Sequence, residues 1–162
     1  MRRRLLAALA AALLMVPLLI GGTAPSFAAM DVAKQVLIGA DYSDKDLRGA
    51  TFNLSNLREA NLSGSDLRGA SLYGAKLQDA NLSGTDLREA TLDAAVMTGT
   101  DLSDAVLEGA FAFNTRFQDV TITGADFTDV PMRADQLKSL CAVAEGSNPI
   151  TGRDTRTTLG CS

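Results

Sequence analysis

The chain has 162 residues, of which 46% are hydrophobic and 21% charged, and its formal net charge is −4. This acidic balance disfavours binding to a nucleic-acid backbone, which requires a basic surface. The chain has no histidine and only two cysteines. Two thiolates do not complete a zinc shell, so no metal or cofactor is expected.

The first 28 residues are typical of an export signal. Arginines at positions 2–4 precede an apolar run over residues 5–20, and a small-x-small motif at 26–28 predicts cleavage before Ala29. Because a membrane span needs about 20 apolar residues, this run is short, although an uncleaved anchor is the alternative. Cleavage leaves no stable membrane anchor. It removes three of fifteen basic and none of nineteen acidic residues, so the net charge becomes −7. The choice between the Sec and twin-arginine routes stays open.

Residues 29–39 are predicted to form an N-terminal cap segment. Their apolar side chains would shield the first coil of the repeat that follows, and the pattern fits a strand or a helix equally well. These side chains belong to Val32, Val36, Leu37 and Ile38.

From residue 40 to residue 134 the chain repeats every five residues without an insertion or deletion. A largely apolar position recurs from 42 to 132, and a mostly small residue lies two places before it. A helix turns about 100° per residue and a strand alternates its faces, so neither buries every such position. A solenoid that turns the same way every five residues does. The predicted core ladder comprises Leu47, Phe52, Leu57, Leu62, Leu67, Leu72, Leu77, Leu82, Leu87, Leu92, Leu102, Leu107, Phe117, Ile122 and Phe127.

The length of one coil follows from a longer spacing. The motif Asp-Leu-Arg recurs at 46–48, 66–68 and 86–88, twenty residues apart each time. Four pentapeptides therefore close one coil, and the nineteen pentapeptides from residue 40 predict 4.75 coils stacked at about 4.8 Å.

The pattern Ala-(Asp/Asn)-Leu-x-x, as at residues 60–64 and 80–84, resembles the pentapeptide-repeat family. The resemblance covers 95 of the 162 residues. It implies an all-β solenoid, specifically a right-handed quadrilateral β-helix. Members of this family have mixed functions, so the resemblance implies the fold and little else.

Two outward columns are interpreted as structural. One is an acid–base ladder whose exposed ion pairs neutralise one another rather than dock a partner. Side chains of the other column can hydrogen-bond neighbouring coils or turn backbone. A calcium site is not expected there, because no compact loop offers the oxygens that calcium needs. The first comprises Asp46, Asp66 and Asp86 beside Arg48, Arg68 and Arg88, and the second comprises Asn61, Asn81 and Asp101.

One region departs from the pattern. Ala112 takes a ladder position, while Phe111 and Phe113 take outward positions, with Val106 on the adjacent face and Tyr73 two coils earlier. An exposed apolar patch often marks a binding site. The candidate interaction patch therefore comprises Tyr73, Val106, Phe111 and Phe113. Two alternatives would hide the phenylalanines. The chain could flip locally so that Ala112 faces out, or residues 147–161 could fold back over them.

Residues 135–162 are predicted to form a C-terminal cap. The spacing of apolar residues favours a short α-helix that covers the open end of the solenoid, ended by Gly146 and Pro149. Cys141 and Cys161 in an exported chain suggest a disulfide, with two free thiols as the alternative. The helix positions are Ala134, Leu137, Leu140, Cys141 and Ala144.

Residues 140–161 are similar to the tail of lumenal pentapeptide-repeat proteins from cyanobacteria and chloroplasts. With the export signal, this resemblance implies a location in the thylakoid lumen or the periplasm. The expected function is non-catalytic, either a structural scaffold or a module that binds an unidentified protein partner. An acidic mimic of nucleic acid that inhibits a DNA-handling enzyme is the alternative, which the export signal disfavours. A cryptic hydrolase finds little support, because a regular solenoid offers flat faces rather than a pocket. The sequence does not indicate the oligomeric state.

Overall fold

A computed structural model describes residues 30–162, so the predicted export signal lies outside the described residues. The described part of the chain is a solenoid followed by two helices. Its regular elements are β1 (Val96–Thr98), β2 (Arg116–Gln118), α1 (Ala134–Cys141) and α2 (Thr155–Leu159).

Residues twenty apart pair in parallel along the whole solenoid. The bridges run from Asp31–Thr51 to Val106–Asp126, and β1 pairs with β2 in the same register. Most sides of a coil contribute one bridged residue rather than a strand, because a turn every five residues leaves no longer extended segment. The coil therefore has the twenty-residue period that the spacing predicted.

The solenoid begins earlier than predicted. Asp31 pairs with Thr51, and the N–H of Leu37 donates to the next coil in the same way as later ladder positions. Residues 31–39 are thus part of a coil rather than a separate cap, and the count of 4.75 coils, made from residue 40, is too low. The pattern is hard to recognise here because Gln35 occupies an inward position that is usually small.

The inward positions form one continuous core. All fifteen ladder residues are buried, and none is more than 4% exposed. Hydroxyls that lie at the small inward positions bond carbonyl oxygens of the turn: Ser65 Oγ donates to Leu62 O at 2.6 Å, and Thr85 Oγ1 to Leu82 O at 2.7 Å. Serine and threonine can therefore replace alanine there without leaving a buried polar group unsatisfied.

Each turn places a left-handed residue at its corner. From residue 34 to residue 129, every fifth residue has φ near +60°, with the single exception of Asn114. Glycine is common there because it has no Cβ to be strained in this conformation, and aspartate because its short polar side chain can hydrogen-bond locally. Leu54, with φ of 58°, is the bulkiest apolar residue in this series and poorly suited to it.

The C-terminal segment (residues 133–162) meets the exposed edge of the last coil. Three N–H groups point to where a further coil would lie, and each finds an acceptor in this segment. An uncovered edge of this kind would otherwise invite pairing with another chain. Phe117 N–H donates to Gln136 Oε1 at 2.9 Å, Gly124 N–H to Glu145 O at 2.9 Å, and Phe127 N–H to Thr158 Oγ1 at 3.1 Å.

A disulfide joins the end of α1 to the residue beyond α2. Cys141 and Cys161 are bonded, with 5.7 Å between their Cα atoms, so the predicted pairing is confirmed. Helix α1 ends at Cys141, before Ala144 of the predicted pattern, although Ala144 is still buried. No helix was predicted over α2, where Asp154 accepts a hydrogen bond from the N–H of Thr157 as an N-cap.

Asn148 anchors the loop between the two helices. Its side chain is buried, and Nδ2 donates to Gly124 O at 2.9 Å and Asp104 O at 3.0 Å. Its Oδ1 accepts from the N–H groups of Ile150 and Thr151. One amide thus binds solenoid backbone on one side and shapes the loop on the other.

Candidate interaction surface

Each coil of twenty residues has four sides of five residues, and outward residues twenty positions apart stack above one another. The solenoid therefore presents four faces. We call one of them the aromatic face, formed by residues 51–54, 71–74, 91–94 and 111–114. Four large apolar side chains are exposed on it: Phe111 (57%), Phe113 (51%), Leu54 (51%) and Tyr73 (47%). Three of these belong to the predicted interaction patch.

Both alternatives that would hide the phenylalanines are wrong. Ala112 is fully buried, so the chain has not flipped, and residues 147–161 lie against the ladder and the end of the solenoid instead. Phe117 and Phe127 lie in the same coil as Ala112 and pack edge to face, with ring centroids 6.3 Å apart. These two rings fill core volume in the coil where Ala112 fills little.

The corner beside Phe113 differs from the other turns. Asn114 is the residue without positive φ, and its N–H donates to Asp93 Oδ1 at 3.0 Å. Asp93 Oδ2 lies 3.5 Å from Asn114 Nδ2. The irregular turn is therefore held by a side chain of the preceding coil, and it coincides with the exposed phenylalanines.

Val106 does not belong to this surface. It is only 2% exposed, so its place in the predicted patch is wrong. Arg153 of the C-terminal segment reaches across: Nη2 lies 2.5 Å from Glu108 Oε2 and Nε lies 2.7 Å from Asp126 Oδ2. Since Asp126 is the bridge partner of Val106, the arginine passes beside the valine.

Asp126 is an ionised carboxylate inside this contact. Burial alone would raise its pKa, but hydrogen bonds to it from Thr128 Oγ1 and Thr151 Oγ1, both 2.7 Å, and the positive charge of Arg153 hold the pKa of Asp126 below its usual value. The C-terminal segment is therefore attached to the solenoid through a charged, hydrogen-bonded acid.

The predicted acid–base ladder is present on a second face. Arg68 lies 2.5 Å from Asp66 of its own coil and 3.6 Å from Asp86 of the next, and Arg48 repeats this geometry one coil earlier. The hydrogen bond from Arg48 lowers the pKa of Asp46 to about 2, with burial opposing. Each arginine is thus engaged by aspartates within the solenoid.

The asparagine column is also engaged within the solenoid. Asn61 Oδ1 accepts from both the N–H and the Oγ of Ser63, at 3.2 and 2.7 Å, and Asn81 does the same with Ser83. Asn61 Nδ2 reaches Asp41 of the preceding coil at 3.3 Å. These contacts shape turns and connect coils, as the sequence interpretation expects.

Charge is distributed very unevenly over the four faces. Residues 41–44, 61–64, 81–84 and 101–104 carry four acids and no base. The four rows that define the aromatic face carry one charged residue, Asp93, and the first coil adds Asp31 and Lys34, of opposite sign, on the same side. The ladder face has more acids than bases. The fourth face combines Arg58, Lys76 and Arg116 with three acids. Leu54, Tyr73, Phe111 and Phe113 thus lie where the surface is least charged, whereas the exposed Val36 and Ile38 lie on the fourth face.

Sequence reasoning missed Leu54. It was not singled out because it follows a regular repeat, but it stands at the left-handed corner position, where glycine and aspartate dominate. A bulky apolar residue at that corner must point outward. That local rule would have added Leu54 to the candidate patch.

The described residues offer little enclosed space on the solenoid faces. A shallow cleft of about 240 Å³ lies between the last coil and α1, lined by Phe117, Val120, Leu140 and Val143 among others. Between residues 30 and 162, no helix has the length and apolar character to cross a membrane.

Comparison with known proteins agrees with this architecture. The family model described as pentapeptide repeats matches the chain in eight copies, over residues 36–69, 70–109 and 92–129. The crystal structure of a pentapeptide repeat protein from the thylakoid lumen of Arabidopsis thaliana matches with a TM-score of 0.65 and 44% sequence identity, covering 85% of this chain and 88% of that one. The chain belongs to the pentapeptide-repeat family, and its solenoid is of the right-handed β-helix type.

Further matches are shorter or more distant. The pentapeptide repeat protein Rfr23 of the cyanobacterium Cyanothece has a TM-score of 0.52 at 24% identity over 59% of this chain and 62% of its own, which shows the fold alone. Thylakoid lumenal 15 kDa protein 1 of Arabidopsis thaliana is 62% identical over 39 residues, and thylakoid lumenal protein TL20.3 is 53% identical over 38. These segments are 24% of this chain but only 17% and 14% of those proteins.

Proposed function

We propose that this protein is a non-catalytic interaction module that binds another protein through its aromatic face. The observation that carries the proposal is the exposure of Leu54, Tyr73, Phe111 and Phe113 on four stacked rows whose single charged residue is Asp93. Exposed aromatic side chains in a weakly charged surface are typical of protein contacts. Two of the other faces carry the acid–base ladder and the asparagine column, whose polar groups already bond one another.

We propose further that the mature protein works in the thylakoid lumen, with the periplasm as the alternative compartment. The lumenal relatives and the predicted export signal support this proposal. The nucleic-acid mimic is less well supported, because arginines alternate with aspartates on the ladder face. Fractionation with an antibody to the chain tests the location, and recovery in the cytosol would contradict it.

Affinity capture from the exported fraction of the protein's own cells tests the binding role. The wild type is compared with Phe111→Ser/Phe113→Ser, and Val36→Ser/Ile38→Ser is the matched control. The control removes two exposed apolar side chains from a different face. We expect a partner that the control retains and the aromatic-face variant loses. A partner retained equally by both variants would place the contact elsewhere.

A further inference from the structure

We propose that the aromatic face binds the same face of a second copy of this chain, in an antiparallel dimer with two-fold symmetry. This inference rests on the proposed function, since it names the partner of the same surface. It is argued from the charge of the faces, the order of residues along the solenoid and the position of Asp93.

Charge leaves the aromatic face as the best surface for self-association. Residues 30–162 carry twelve basic and nineteen acidic residues, so two copies repel each other. Contact through the purely acidic face or the ladder face would bring like charges together. The fourth face is neutral, but its six charged side chains would have to be desolvated. Rows 51–54 to 111–114 of the aromatic face bring only Asp93 into the contact, and the charged pair Asp31 and Lys34 lies outside them in the first coil.

The order of residues along this face is self-complementary. The row of Leu54 lies three coils from the row of Phe113, a distance of about 14 Å at the usual strand spacing. A two-fold axis across the coils, midway between rows 71–74 and 91–94, exchanges these two rows. Phe113 of the second copy then lies over Asn53 and beside Leu54, and Phe111 of the second copy lies over Thr51. Large side chains thus meet small or polar ones.

The same axis brings Tyr73 opposite Asp93 of the second copy. Asp93 Oδ1 accepts from the N–H of Asn114, while Oδ2 makes only a long 3.5 Å contact and keeps capacity for another donor. The Tyr73 hydroxyl can supply that donor, once in each half of the dimer. The single charge in the contact would then be hydrogen-bonded.

A parallel arrangement is disfavoured by the same residue. With the axis along the solenoid, each row meets the same row of the other copy, so Asp93 faces Asp93 between Tyr73 and Phe113. Two carboxylates would be brought together in a largely apolar contact, which is costly. The antiparallel register is therefore the one that the charge on this face favours.

The conformation of Leu54 agrees with a contact role. Its φ of 58° is unfavourable for a bulky residue, and its side chain is 51% exposed, so burial in the free protein does not offset the strain. In the antiparallel dimer it packs against Phe113 of the second copy. Such a contact gives the strained leucine a function.

The dimer is expected to be weak. The contact extends about 14 Å along the solenoid, which gives less than the roughly 800 Å² per partner of a standard interface. Sedimentation equilibrium of the protein purified from the exported fraction is measured at concentrations from about 10 μM to about 1 mM. This range spans the dissociation constants expected of so small a contact. We expect reversible dimers, a dissociation constant at least about 10-fold higher for Phe111→Ser/Phe113→Ser, and no change for Val36→Ser/Ile38→Ser.

A cross-linking experiment tests the register. In the antiparallel dimer Leu54 faces Asn114 of the second copy, whereas within one chain these residues are about 14 Å apart, too far for a disulfide. Mild oxidation of Leu54→Cys/Asn114→Cys should give covalent dimers, and each single variant should not. Cross-linking of Phe113→Cys alone would reveal the parallel register and overturn the proposal.

The outcomes separate this inference from the proposed function. A wild-type protein that stays monomeric, or an aromatic-face variant that dimerises equally well, overturns the antiparallel dimer. If capture still depends on Phe111 and Phe113 in that case, the face binds a different protein and the proposed function stands.

Discussion

The side chain of Leu54 fills the space above Gly74, one coil further along the chain. A Cβ at Gly74 would lie 2.6 Å from Leu54 Cδ2, well inside van der Waals contact. Asp79 has the same relationship to Gly99, where a Cβ would lie 2.3 Å from Asp79 Oδ1. In these two pairs, the side chain at one left-handed corner occupies the place that a Cβ would take at the glycine stacked on it.

Gly74→Ala is expected to be destabilising and to displace Leu54. The backbone strain at φ of 64° should cost about 1–2 kcal/mol, and the clash should add little because the leucine can rotate outward. Gly69→Ala is the control, since it has the same φ with nothing within 4 Å. Denaturant unfolding should give similar losses for both variants. Only Gly74→Ala should also weaken binding through the aromatic face, and equal binding would contradict the role of Leu54.

Core and ladder substitutions should differ sharply. Leu82 is fully buried in a middle coil, so Leu82→Ala should lower the free energy of unfolding by about 2–5 kcal/mol through the cavity it leaves. Arg68 is an exposed member of the ladder, 44% accessible, so Arg68→Ala should have a much smaller effect. Denaturant titration of both variants measures this. A larger loss for Arg68→Ala would mean that the inward and outward positions are wrongly assigned.

Stability should be maintained in mild acid and fall below about pH 4. The pKa values of Asp46, Asp66 and Asp126 are lowered in the folded protein. The unfolded chain, with aspartates near the ordinary value of about 3.9, therefore takes up protons first as the pH falls. The stabilisation is present above that value and is lost as the pH falls through the folded pKa values. Urea unfolding between pH 7 and pH 3 measures the decline.

Asp126→Asn tests how much of the acid sensitivity comes from Asp126, the carboxylate that holds the C-terminal segment. The variant should be less stable at pH 7 by about 1–3 kcal/mol, because the Arg153 contact loses its carboxylate. It should also lose less stability than the wild type between pH 5 and pH 3. Parallel curves for the two proteins would show that Asp126 does not contribute to the acid sensitivity.

The disulfide should stabilise the C-terminal segment. Cys141→Ser/Cys161→Ser removes a bond that closes a twenty-residue separation, which the chain-entropy model values at about 3 kcal/mol. Hydrogen exchange should become faster over α1 and α2 while the middle coils keep their protection. Reduction of the wild type should reproduce the variant. An unchanged exchange pattern would mean that Asn148 and Arg153 suffice to hold the segment.

The solenoid could be predicted from sequence because one rule applies at every repeat. An apolar residue every fifth position has to face inward, and the Asp-Leu-Arg motif sets the coil at twenty residues. The rule failed at residues 31–39, where Gln35 replaces the usual small residue although the backbone pairs as in any other coil. Helix α2 was missed because five residues contain too little periodicity to recognise.

The candidate surface was predicted less completely. Phe111 and Phe113 could be identified because they break the repeat, but their exposure depended on the conformation around Ala112, which is a local structural outcome. Val106 was placed on the surface because outward positions are normally open. It lies beside Glu108 and Asp126, which Arg153 binds from forty-seven positions later in the chain, and no local pattern reveals that the C-terminal segment returns here.

Because one coil has twenty residues, the residue number gives the position of a side chain on the solenoid. The remainder after division by twenty gives the face on which a side chain lies, and the quotient gives its height. An insertion of twenty residues between Tyr73 and Phe113 would raise the phenylalanine by about 4.8 Å and leave it above the tyrosine. An insertion of five would turn everything beyond it through a quarter of a revolution and divide the aromatic face between two sides. Length variation in such a protein can therefore tune the spacing of a binding surface in whole coils while preserving its direction.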